Sequence, residues 1–127
     1  MRIVRLVFSA LAFAAACGPP PEDDRVFALN QVEPPRLLND TVLARVMEGL
    51  YPRDMMAAGV EGEVEVSFVI GPNGVPRDAA VLRSTRPEFE APSLEAVKLM
   101  RFKPAIRYRR PVAVRVDQPI HWTLVVE

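Results

Sequence analysis

Cys17 and His121 are the only cysteine and the only histidine among the 127 residues, which already narrows the chemistry open to the chain. One cysteine cannot close an intrachain disulfide. One cysteine with one histidine cannot supply the three or four protein ligands that zinc takes. His121 falls on the polar side of an alternating segment, next to Trp122. To act in catalysis it would need a nucleophile and an orienting acid in reach, and no motif supplies them. No phosphate-cradling glycine loop, carboxylate pair or metal-ligand spacing appears either. The sequence therefore predicts no catalytic residue, no metal and no cofactor: the protein is not expected to be an enzyme, and His121 reads as a surface residue.

What remains is a charge pattern. Lys98, Arg101, Lys103, Arg107, Arg109, Arg110 and Arg115 follow one another with no acid between Ala96 and Val116. Such a run can meet an acidic peptide, phospholipid headgroups or anionic cell-wall material. It can equally be a solvated helix end and loop, and Lys98 and Arg101 suit a helix C-terminus on dipole grounds. Arg107, Arg109 and Arg110, at the tip of a loop, are the strongest binding candidates. Over the whole chain acids and bases balance at sixteen each. Without Arg2 and Arg5 the balance turns slightly acidic, which speaks against a nucleic-acid partner. Asn39-Asp40-Thr41 spells a glycosylation acceptor, but helix capping explains those residues better.

The elements that must carry these residues can be read in order. Met1 to Cys17 has a positive start at Arg2 and Arg5, an uncharged run of eleven residues from Leu6 to Ala16, and small residues before Cys17. This is the anatomy of a secretory signal peptide, and the run is well short of the ~20 apolar residues that span a bilayer. Ala14-Ala15-Ala16-Cys17 resembles a bacterial lipobox, although the third position before the cysteine is usually Leu and is Ala14 here. The resemblance implies lipidation at Cys17; simple cleavage near Ala16 is the alternative. Residues 18–36 are polar and proline-rich and read as a flexible tether. Residues 37–127 carry regular patterning and read as one domain.

Within that domain Asn39 or Asp40 caps a helix running to about Leu50, with Val42, Val46 and Leu50 as its stripe and Leu43 and Met47 flanking. Pro52 opens a short second helix and Gly59 stops it. Glu63 to Ile70 alternates as a half-buried strand, Gly71-Pro72-Asn73-Gly74 turns, and Val75 to Thr85 returns. Glu88 to Phe102 is helical, ended by Pro104. Pro111 to Val126 is the longest strand, with Val112, Val114, Val116, Ile120, Trp122, Leu124 and Val126 on one face. Pro119 cannot donate to a ladder and so places this strand at an edge or a bulge. The expected fold is α+β: a small antiparallel sheet of about three strands covered by helices on one face, in the order α-α-β-β-α-β.

Several of these features, taken in order, resemble the C-terminal domain of the TonB family. They are Tyr51-Pro52, then Gly59 and Gly62 in Ala58-Gly59-Val60-Glu61-Gly62, the alternating strand, and Asn73-Gly74-Val75. Next come Arg83-Ser84-Thr85, then Met100-Arg101-Phe102-Lys103-Pro104-Ala105 and finally Pro111-Val112 and Pro119-Ile120. Tyr51, Pro52, Gly59, Gly62, Gly74, Phe102 and Pro104 read as residues that specify the fold. The resemblance implies capture of a transporter's N-terminal segment, the TonB box, by strand addition to the last strand. The edge so implied runs from Val112 to Leu124, with Val112, Val114, Arg115, Val116, Ile120, Trp122 and Leu124 along it; Arg115, Asp117 and Pro119 partly blunt it.

The partners implied are outer-membrane TonB-dependent transporters, with proton-motor membrane proteins, a separate TonB or a second copy of the chain beside them. The implied location is the periplasm-facing cell envelope, held to a membrane by a lipid anchor. Two features depart from an energy transducer. There is no N-terminal spanning helix, and the tether of some twenty residues reaches only about 70 Å when fully extended. A scaffold or interaction module without energy transduction is therefore the alternative reading.

Overall fold

The computed structural model describes residues 25–124. The leader, the lipobox-like end with Cys17 and the first part of the proline-rich stretch lie outside these residues, as do residues 125–127.

Three long strands make the sheet: β3 (Gly62–Ile70), β4 (Pro76–Ser84) and β7 (Arg110–Trp122). β3 is central, antiparallel to both β4 and β7. Its alternation sends Val64, Val66, Phe68 and Ile70 into the core, all fully buried. The opposite face is less wet than alternation alone predicts. Ser67 and Val69 are buried too, because a strand flanked on both sides has little solvent at its middle.

Gly74 takes φ +78° in the turn that joins β3 to β4. That backbone conformation and a close approach to the Phe102 carbonyl leave no room for a side chain. Asn73 contributes differently, accepting the Val75 N–H on its side-chain oxygen at 3.1 Å.

Among the described residues there are three α-helices, with the core on one side of the sheet: α1 (Asp40–Leu50), α2 (Arg53–Ala57) and α3 (Glu90–Leu99), the last entered through a 3₁₀ turn at Pro87–Phe89. Leu43, Tyr51, Phe89, Ala96, Val97 and Met100 close on the buried face of the strands. The stripe on α1 is rotated from the expected one. Leu43 is buried while Val42 is 60 % exposed, so the packed face is Leu43, Val46, Met47 and Leu50.

Asn39 precedes α1 but makes no capping bond. Its Nδ2 donates to the Leu99 carbonyl at 2.8 Å, and its Oδ1 accepts the Arg101 N–H at 3.0 Å. It thus ties the start of α1 to the end of α3.

Two expectations are corrected. The third helix stops at Leu99 rather than Phe102. Met100 is already extended, and β5 (Phe102–Lys103) pairs antiparallel with β2 (Arg36–Leu37). The second half of the stretch expected to be tether is also structured. β1 (Val26–Phe27) runs parallel to β7, Glu33 bridges Ile106, and Phe27, Val32 and Leu37 pack against the core. Among the described residues the core cluster with its partly buried fringe extends from Phe27 to Leu124.

Candidate functional site

β7 is held by a different partner over each part of its length. β6 (Ala105–Arg107) pairs with Arg110 to Val112 in a hairpin whose tip is Tyr108 and Arg109. β3 pairs with Val114 through Trp122. β1 pairs with Ala113 and Val114. Since Val114 faces Ile70 and Phe27 at once, β1 lies on the side of β7 away from β3. Beyond β1, on that side, no described strand pairs with Arg115 to Trp122. Eight residues of backbone thus present an open edge, and an unpaired row of N–H and C=O groups is a template for another strand.

The expected edge is therefore shortened from its start. Val112 and Val114 are fully buried, and β6 and β1 of the same chain already occupy their neighbourhood. The sequence reading missed this because it left residues 18–36 unpaired; a two-residue strand such as Val26–Phe27 has no periodicity to detect. Ile120 and Trp122 lie on the open stretch, but their side chains point inward. Trp122 Nε1–H donates to the buried Ser93 hydroxyl at 2.8 Å. Its ring stacks on Phe89 at 5.8 Å and meets Tyr51 edge-on at 5.7 Å. Of the residues placed on the edge from sequence, only Arg115, Val116 and Leu124 keep side-chain surface there.

The outward positions of the stretch are Arg115, Asp117, Gln118, Pro119 and His121, all exposed. Asp117 was already read as blunting the edge; Gln118, which interrupts the apolar positions, and His121, read as solvent-facing, are additions to the site. Across the wet face the polar groups are linked. Arg115 donates to the Ser67 hydroxyl at 3.2 Å, Glu65 pairs with Arg83 at 2.7 Å, and His121 Nδ1 lies 3.8 Å from Glu63. Gln118 donates its side-chain amide to the Pro119 carbonyl at 3.0 Å. Val26 in β1 and Leu29 just after it, each nearly half exposed, add apolar surface.

The residues expected to specify the fold sit in structural places. Tyr51 is buried and donates its hydroxyl to the Val60 carbonyl; burial first, and Glu61 second, hold its pKa above the usual phenol value. Pro52 precedes α2, Gly59 takes φ +68° after it, and Gly62 lies against the Phe89 ring. Phe102 meets Phe68 at 5.9 Å, and Pro104 separates β5 from β6. Arg107, Arg109 and Arg110 surround the hairpin tip, Arg107 stacked over Phe27 and Tyr108 at 4.7 Å each.

Among the described residues no group of three His, Cys, Asp or Glu is placed to hold a metal ion, and no helix is long and apolar enough to cross a membrane.

Residues 47–124 match the family model of the Gram-negative bacterial TonB protein C-terminal. The chain belongs to this TonB C-terminal family. The solution structure of the Pseudomonas aeruginosa TonB C-terminal domain is similar at 25 % identity, with a TM-score of 0.57, covering 82 % of this chain and 99 % of that one. A Helicobacter pylori TonB C-terminal domain (residues 179–285) matches at 26 % identity with a TM-score of 0.45, covering 67 % of this chain and 79 % of that one. No curated protein matches at a significant level. TonB C-terminal domains are periplasmic modules of the cell envelope, associated with transport and not with catalysis.

Proposed function

We propose that this TonB-family domain captures an extended N-terminal segment of an outer-membrane transporter by strand addition along Arg115 to Trp122, in support of TonB-dependent transport. The observation that carries this reading is the open side of β7: eight residues long, paired to β3 on its other side, and with Arg115, Asp117, Gln118, Pro119 and His121 exposed along it. Backbone hydrogen bonds supply affinity; Arg115, Asp117 and His121 along the stretch supply charge selectivity. β1 stops the incoming strand from extending past Arg115 without displacement. Acylation at Cys17 would hold the domain to a membrane durably, since each buried methylene adds about 0.8 kcal/mol.

A second reading keeps the anchor and the open edge but not the transporter: an envelope interaction module without energy transduction. The short stretch between Cys17 and Val26 favours it, because so brief a connection cannot act as a rod across the periplasm.

The two are separated by immobilising residues 18–127 and recovering partners from detergent-solubilised envelope, with and without a TonB-box peptide as competitor. Outer-membrane transporters that the competitor displaces support strand addition. Recovery of other envelope proteins, indifferent to the peptide, would sink the transport reading and leave the interaction module.

A further inference from the structure

We propose that the β6–β7 hairpin end of the domain docks on anionic phospholipid headgroups, so that the open edge of β7 is presented away from the membrane. Four observations carry this, and only the last rests on the lipid-anchor reading of Cys17.

First, this end concentrates unpaired positive charge. Arg36 stands directly opposite Lys103, and Arg107 directly opposite Arg110. Like charges in direct cross-strand register repel. None of the four, nor Arg25 or Arg109, forms an ion pair among the described residues. Glu33 is the one acid on the paired segments here, held by backbone bonds to Ile106. Two like-charge oppositions at this end would be relieved by an anionic surface, and among the described residues here only Glu33 offers a negative charge, with Glu22, Asp23 and Asp24 lying outside them.

Second, the tip is shaped for contact. Tyr108 and Arg109 sit at φ +49° and +65°, left-handed conformations that non-glycine residues adopt at a cost. A glycine would turn the corner more easily. Instead the tip carries an exposed tyrosine, 79 % accessible, between arginines. Tyrosine with basic neighbours is the pairing that membrane–water interfaces favour.

Third, a basic side chain beside the tip is held by several contacts. The Arg107 guanidinium is fixed over the Phe27 and Tyr108 rings and donates to the Gln31 carbonyl at 3.0 Å.

Fourth, the chain enters the domain at this end. β1 is parallel to β7, so the start of β1 faces the start of β7, next to the hairpin. Only Gly18 to Arg25 separate Cys17 from the folded part, at most about 28 Å of extended chain. An acylated Cys17 would hold the basic end within headgroup reach, while the open stretch runs from Arg115 toward the opposite end at Trp122.

The test uses the unlipidated chain 18–127, which keeps every residue of the core cluster, so that headgroup affinity is read without acyl chains. Sedimentation with vesicles of phosphatidylcholine, alone or mixed with phosphatidylglycerol, should show binding to the mixed vesicles only, falling as salt is raised. At ~5-fold per basic residue near an anionic surface, Arg109→Gln with Arg110→Gln should weaken binding roughly 25-fold. Arg83→Gln with Arg86→Gln removes the same charge at the far end of β4 and should leave binding unchanged. Both pairs are exposed, and unchanged thermal midpoints would show that folding is intact.

Equal binding to both vesicle types, equal losses from both pairs, or retention by isolated cell wall with none by vesicles overturns the proposal. Palmitate labelling of Cys17 and the peptide competition address the anchor and the strand-addition reading separately, so failure of either is distinguishable from failure here.

Discussion

Trp122 shows how a single side chain changes role once its surroundings are known. By alternation it falls on the apolar face of the last strand, although the family resemblance also sets it along the recognition edge, where aromatic anchors are common. By geometry it is a keystone of the core, between Phe89 and Tyr51 with its indole N–H on Ser93. Trp122→Ala should cost about 3–5 kcal/mol in denaturant unfolding, and Ser93→Ala, which orphans the indole N–H, about 1–3 kcal/mol. Tyr51 carries a pH signature. Its phenol stays protonated in the folded domain above the pH at which an unfolded tyrosine ionises, about 10. Its stabilisation is therefore complete below that pH and is lost as pH rises toward the raised folded value. Urea midpoints taken across the alkaline range should fall for the native chain and fall less for Tyr51→Phe. That variant should start about 1 kcal/mol lower at neutral pH, having lost the bond to Val60.

At the scale of elements, β7 is one strand with two environments. Over Ala113 and Val114 it has β1 on one side, and beyond Arg115 that side has no described neighbour. Amide exchange should follow this division. From Arg115 to Trp122, amides that donate to β3 should be strongly protected and the alternate ones should exchange at nearly open-chain rates. Protection of the alternate amides on addition of a TonB-box peptide would locate an added strand; protection appearing on β4 instead would move the site to the other edge. β4 is poorly suited to that role, because it begins at Pro76 and carries an irregularity with Asp78 at φ +54°.

The whole molecule is larger than its patterned region. Phe27, Val32 and Leu37 pack on the core from a stretch whose composition reads as tether. A chain beginning at Leu38 should therefore be less stable than one beginning at Arg25, by roughly 3 kcal/mol at about 1 kcal/mol for each partly buried side chain. It should also expose Ala113 and Val114 and lengthen the open edge. Equal stability of the two chains would show that β1 and the segment after it contribute only fringe contacts.

Several features follow from sequence alone because they rest on local physics. Glu63 to Ile70 had to be a strand, since its apolar residues repeat every second position. Gly59 and Gly74 had to mark turns, and both take positive φ. The order of motifs from Tyr51 to Ile120 was enough to place the chain in its family. Other features depended on partners distant in sequence. Val42 and Leu43 are equally apolar, and only the packing of α1 on α3 decided that Leu43 goes inside. Phe102 reads as the end of a helix until Arg36–Leu37 offers it a strand to pair with. The extent of the open edge was set in the same way. A strand's alternation reports which face is buried but carries no record of which of its two sides is hydrogen-bonded, and that was decided here by Val26 and Phe27, nearly ninety residues earlier in the chain.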